Sequence, residues 1–125
     1  MIVFDTLDEL ESYQGAFPEI ATIIGVMDRS LPYDQNPGHY DTPEKSDVKY
    51  IIDENLSSDK GFEAEHHPGM KVMEIVLEGD EIVSVSGSVF RMESGRFLIY
   101  SGSDDVKRGL CYTLPQHFKA VRFIF

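Results

Sequence analysis

The chain has 125 residues, 42% of them hydrophobic, which suits one domain that buries roughly two-thirds of its unfolded surface. Its 22 acidic and 11 basic residues give a formal net charge of −11, a balance that repels phosphate backbones and anionic lipid surfaces, so neither nucleic acid nor membrane is expected as a partner. A single cysteine, Cys111, offers no internal disulfide, the start Met1-Ile2-Val3-Phe4-Asp5 lacks the basic opening of a signal peptide, and no apolar run approaches the ~20 residues of a membrane span. Together these features predict a cytoplasmic protein.

Ile2-Val3-Phe4 reads as a short strand. Thr6-Leu7-Asp8-Glu9 has the form of a capping box opening a helix that Gly15 closes. Phe17-Pro18-Glu19 opens a second helix, with Ile20, Ile23, Ile24 and Met27 on one apolar stripe for packing. Residues 29–43, rich in Pro, Asp, Asn and Gly, predict a long ordered surface loop, residues 48–52 a strand, and residues 55–61 a turn.

Residues 62–77 read as two strands around the Pro68-Gly69 turn. Alternation places Glu63, Glu65 and His67 on one face of the first, and Met70, Val72, Glu74 and Val76 on one face of the second. If the two pair as a hairpin, Glu65, His67 and Glu74 come near one another. Further strands are predicted over 81–86, 88–92, 97–100, 110–114 and 119–125, each with β-branched or aromatic content and turn residues between them. Many short strands after helices predict a mainly β barrel or jelly roll. His39, His66 and His117 read as exposed, Cys111 has no adjacent base, and Gly87 has no partner glycine at the spacing of a phosphate-binding loop.

Glu65-x-His67, followed by Leu77-x-Gly79, resembles the central motif of the YhcH/YjgK/YiaL family, which includes the small β subunit of the evolved β-galactosidase and whose motif is a form of the first cupin motif. Val72 stands at the family's acidic position and Glu74 at its next inward His or Gln. Residues 95–102 resemble the family's Gly-Asp-Phe strand, Asp105-Val106-Lys107-Arg108 sits where the family has Asp-Val-His-Lys, and residues 118–123 resemble its closing strand, with Lys119 keeping a lysine. The resemblance implies one domain over 1–125: a strand and two short helices over 1–28, then a cupin-like double-stranded β-helix (jelly-roll) barrel over 38–125.

What the resemblance implies for function is sugar chemistry, as in an anomerase or isomerase. Opening and closing a sugar ring needs a base for the anomeric hydroxyl and an acid for the ring oxygen. His67, Glu74 and Lys107 are the catalytic candidates, with Glu65 and Lys119 as substrate contacts. Glu65, His67 and Glu74 also form a candidate set for one divalent metal such as zinc. The alternative needs no metal: Lys107 pairs with Glu74 or Glu65, and His67 is a neutral hydrogen-bonding partner. Three readings stay open: a sugar-modifying enzyme, a non-catalytic sugar-binding or accessory subunit of a glycosidase, and a divergent barrel that has lost its site. A homo-oligomer and a glycosidase partner both fit this set.

Overall fold

A computed structural model describes residues 1–43 and 46–125. Among the described residues ten strands follow in chain order: β1 (Ile2–Thr6), β2 (Gly38–Asp41), β3 (Lys49–Leu56), β4 (Phe62–Glu63), β5 (Lys71–Glu78), β6 (Glu81–Val85), β7 (Ser88–Met92), β8 (Arg96–Ser101), β9 (Val106–Leu110) and β10 (His117–Ile124). Between β1 and β2 lie a 3-10 helix (Leu7–Tyr13) and two α-helices, α1 (Ile20–Asp28) and α2 (Leu31–Asp34). A six-stranded sheet in the order β1-β8-β5-β10-β3-β2 faces a four-stranded sheet in the order β4-β9-β6-β7, and every strand pairing is antiparallel. The expected mainly β jelly roll with short N-terminal helices is the observed architecture.

The larger sheet is buried on both faces, so its central strands read as nearly continuous apolar runs instead of alternating ones. One face, carrying Tyr50, Ile52, Met73, Ile75, Phe97, Ile99, Val121 and Phe123, meets Leu10 of the 3-10 helix, Phe17, and Ile20, Ile23 and Val26 of α1. The other face carries Ile51, Val72, Val76, Leu98, Tyr100, Phe118, Ala120 and Ile124 and meets Val83, Val85, Met92 and Val106 from the smaller sheet. Each Val, Leu, Ile, Met or Phe among them contributes about 1.5–3 kcal/mol through burial. The second layer is the barrel interior.

Several elements differ from the sequence expectation. Thr6 ends β1 in an extended conformation and makes no side-chain cap, so the segment after it winds as a 3-10 turn. The second helix begins at Ile20, with Val26 joining Ile20 and Ile23 as its fully buried residues, while Ile24 and Met27 lie at the edge of the same core. The expected loop over 29–43 contains α2 and the edge strand β2. The strand expected over 110–114 lies earlier, at β9, and Tyr112 and Leu114 are exposed at 71% and 75%.

The largest correction concerns residues 62–77, which do not form a hairpin. β4 pairs with β9 in the smaller sheet, whereas β5 lies between β8 and β10 in the larger one. Residues 64–70 carry the chain from one sheet to the other, and their backbone bonds run to the 102–106 segment. Ala64 N donates to Val106 O at 2.8 Å and His67 N to Gly102 O at 2.8 Å. Gly102 accepts this close crossing because it has no Cβ, which would lie 2.1 Å from His67 O.

Candidate functional site

Strand periodicity explains the polar side chains inside the barrel. Glu74 lies between Val72 and Val76 on the inward face of β5, and Arg122 between Ala120 and Ile124 on that of β10. Asp53 is two residues past Ile51, Glu81 two before Val83, Arg108 two after Val106, and Tyr100 two after Leu98. A period of two therefore projects six polar groups from six strands between the sheets.

Arg108 is the centre of one group. It is 1% exposed, and its Nε donates to Glu74 Oε1 at 2.5 Å. Its other two nitrogens grip Asp53, Nη1 to Oδ2 at 2.7 Å and Nη2 to Oδ1 at 3.1 Å, the fork-on-fork geometry that suits guanidinium and carboxylate. Nη2 also lies 3.5 Å from Glu81 Oε1, and the guanidinium carbon lies 5.5 Å from the centre of the Phe62 ring. Burial opposes the charge, but Glu74, Glu81 and Asp53 outweigh it and hold the Arg108 proton more firmly than in a free guanidinium.

A bulge in β9 makes this arrangement possible. Ile82 faces Leu110 and Ser84 faces Lys107, so β9 spends one residue more than β6 over the same stretch. Gly109 takes the left-handed conformation at φ +64° that the bulge requires, and its N–H donates to Glu81 Oε2 at 2.7 Å. Burial first, then the charge and hydrogen bond of Glu74, push the Glu81 carboxyl well above the ordinary range. A proton on Glu81 also resolves two otherwise unpartnered buried oxygens, Glu74 Oε2 and Glu81 Oε1.

The second group starts beside Glu74, which Arg122 faces across β10 and β5, and runs toward the Val72 end of β5, which Tyr100 faces. Arg122 and Tyr100 are both buried, and Arg122 Nε and Tyr100 Oη have no hydrogen-bond partner. No carboxylate of the described residues lies within ion-pairing distance of Arg122. His67 Nε2 is likewise buried and unpartnered. Burial, opposed by Glu65 and reinforced by Arg122, His39 and His66, lowers the His67 pKa, so its imidazole is neutral at pH 7. Burial holds the Tyr100 phenol protonated, with Glu74 adding to the effect and Arg108, then Arg122, opposing it.

His67 opens onto a groove of about 520 Å³ with Glu65, His39, Tyr40, Lys49 and Ile51 among its walls. Ile51 is the direct cross-strand neighbour of Arg122, and Ile124, also in the wall, lies two residues beyond Arg122. At the far mouth, a cavity of about 230 Å³ reaches Glu81 and is bordered by Tyr112 and Leu114.

The five residues named from the sequence separate. Glu74 enters the interior as alternation requires, but its partner is Arg108. Lys107 is exposed and points away from the barrel. Its neighbour Arg108 faces inward because Val106 does, and a strand alternates. Lys119 is buried on the helix side, where its Nζ donates to Tyr33 O of α2 at 3.0 Å and ties that helix to the sheet. Glu65 is exposed at the groove, beside His67. Sequence reasoning missed Asp53, Glu81, Tyr100, Arg108 and Arg122. The inward phase of the flanking apolar residues was the signal for them.

The residues do not fit a metal inside the barrel. Glu65, His67 and Glu74 are not grouped. Among the described residues, only Glu54, Glu78 and His117 bring three ligand atoms within 4.8 Å of one another, and all three are exposed. The interior carboxylates already share the Arg108 guanidinium, which takes the space and the charge that a cation would need.

No protein-family model and no curated protein matches the chain. Among solved structures it is similar to protein NMB1881 of Neisseria meningitidis, with a TM-score of 0.56 and 13% identity over 78% of this chain and 94% of that one. It is also similar to a cupin protein of Bacteroides fragilis (TM-score 0.50, 13% identity, 71% and 76% covered). A cupin 2 domain-containing protein of Halorhodospira halophila gives a TM-score of 0.51 at 7% identity, with 71% and 63% covered. At these identities the likeness shows the fold, a cupin-type barrel. Among the described residues no helix is long and apolar enough to cross a membrane.

Proposed function

We propose that this barrel binds a small polyhydroxylated ligand of the carbohydrate type in the groove beside His67, and that His67 moves protons on it, as in an anomerase or isomerase. The observation that carries the reading is the His67 imidazole, neutral at pH 7, with a buried nitrogen that no protein group satisfies. A neutral imidazole can take a proton at one nitrogen and supply one at the other, which suits the exchange of a hemiacetal proton. Glu65 and His39 share the groove wall with it. Glu74 supports this chemistry from a distance by fixing Arg108, and the reaction needs no metal. A divalent ion such as zinc would find its ligands at Glu54, Glu78 and His117 on the surface.

The test is exchange spectroscopy of anomer interconversion across a panel of aldoses. Wild-type protein accelerates exchange for at least one sugar and His67→Ala removes the acceleration. No acceleration and no binding for any sugar overturns the reading. A second reading, a non-catalytic sugar-binding or accessory subunit, draws support from Leu56, Tyr112 and Leu114, all strongly exposed. It predicts sugar binding without exchange, and assembly with a glycosidase or with a second copy of the chain in sedimentation experiments.

A further inference from the structure

Two arginines project into the same interior, and only one of them is paired. A buried guanidinium nitrogen without a hydrogen-bond partner is costly, and such an atom in a folded protein points to something that completes it. Arg122 is 8% exposed, its Nε has no partner, and it forms no ion pair with a carboxylate of the described residues, although Glu74 is its cross-strand neighbour. Tyr100 Oη and His67 Nε2 are unpartnered in the same part of the barrel. The charges that act on Tyr100 are those of Glu74 and Arg108 before that of Arg122, so Tyr100 stands between the two groups, and Arg122 is also among the charges that act on His67. The backbone agrees: Tyr100 faces Val72 across β8 and β5, Arg122 faces Glu74 across β10 and β5, and the His67 N–H bonds to Gly102, two residues past Tyr100.

We propose that Arg122, Tyr100 and His67 form an oxyanion subsite that takes the carboxylate or phosphate group of a small ligand reaching it from the His67 groove. This inference rests on the groove being a ligand site, and it adds the charge class of the ligand. Arg122 contributes guanidinium donors and Tyr100 a phenolic O–H, while His67 becomes a third donor by accepting a proton when the anion arrives. The groups around His67 that weigh on this proton are Glu65, which favours it, and Arg122, His39 and His66, which oppose it. Of the acidic groups on the groove wall, Asp41 is matched by Lys49 at 2.9 Å. Asp47 and Glu65 are exposed, and their repulsion is screened over about 8 Å at physiological salt, whereas the buried Arg122 acts at contact with little screening.

The experiment is calorimetric titration of the full chain with galactose, galacturonate and inorganic phosphate in two buffers of different ionisation enthalpy. It is paired with an imidazole ¹⁵N titration of His67. The expected result is that galacturonate binds at least tenfold more tightly than galactose, takes up a proton, and raises the His67 midpoint. Arg122→Gln removes the preference. Phosphate binding with the same proton uptake, without galacturonate binding, supports the subsite and identifies phosphate as the anion. Equal binding of galactose and galacturonate overturns the oxyanion subsite but leaves the groove reading in place. Binding of none of the three overturns both. If Arg122→Gln does not fold, the wild-type His67 titration decides, and a midpoint unmoved by bound galacturonate overturns the proposal.

Discussion

Arg108 and Arg122 are both buried between the two sheets, yet they belong to opposite kinds of environment. Arg108 has two carboxylates in hydrogen-bond contact and a third within 3.5 Å, and the bulge at Gly109 aligns one of these acids. Arg122 has none. The difference separates structure from readiness. A saturated guanidinium has nothing left to offer a ligand, so the Arg108 end holds the sheets together. The His67 end retains donors and acceptors that a ligand can use.

Four experiments break or sharpen this comparison. Arg108→Met leaves Glu74 and Asp53 buried without their cation and is expected to cost about 3–5 kcal/mol in denaturant unfolding. A loss below ~1 kcal/mol would mean the network is not what binds the sheets.

The next effect depends on pH. The Glu81 carboxyl is raised in the fold, so the stability tied to its proton is complete below the unfolded-state value and is lost as pH rises through the folded value. Glu81→Gln can still accept from Gly109 N–H and donate to Glu74. Its melting temperature should match wild type near pH 4 and exceed it by several degrees at pH 8. A constant difference across that range would place the carboxyl in its ordinary range.

Arg122→Met removes a buried charge that has no partner. It should leave stability unchanged or raise it by up to about 1 kcal/mol, the opposite sign from Arg108→Met. A loss resembling that of Arg108→Met would erase the distinction between the two ends. Lys107→Ala, on the exposed side of β9, should stay within ~0.5 kcal/mol of wild type and leave sugar exchange intact, as judged by melting and by the anomer assay.

The jelly roll was legible in the sequence because short β-branched and aromatic runs separated by Gly, Pro and Asn leave few alternatives. The inward phase of β5 was legible too, since Val72, Glu74 and Val76 share a face as alternation requires. The site was less so, for two physical reasons. First, the pairing of β4 with β9 joins residues far apart in the chain, and nothing local in 62–70 distinguishes a crossing between sheets from a hairpin turn. Second, choosing Lys107 over Arg108 is a shift of one residue, and in a strand one residue exchanges inside for outside. The buried Val106 on the same strand resolves the choice once the interior face is known.

β10 lies between β3 and β5, strands formed from much earlier parts of the chain, and it pairs with both along most of its length. Until it inserts, the larger sheet is two separate pieces, each with an open edge, and Arg122 has no position relative to His67. The relative placement of Arg122 and His67 therefore depends on long-range closure, the kind of contact whose loop entropy makes it slow to form. Conditions that let β10 come away should separate Arg122 from His67, take Val121 and Phe123 from under the helices, and expose two apolar strand edges to other chains.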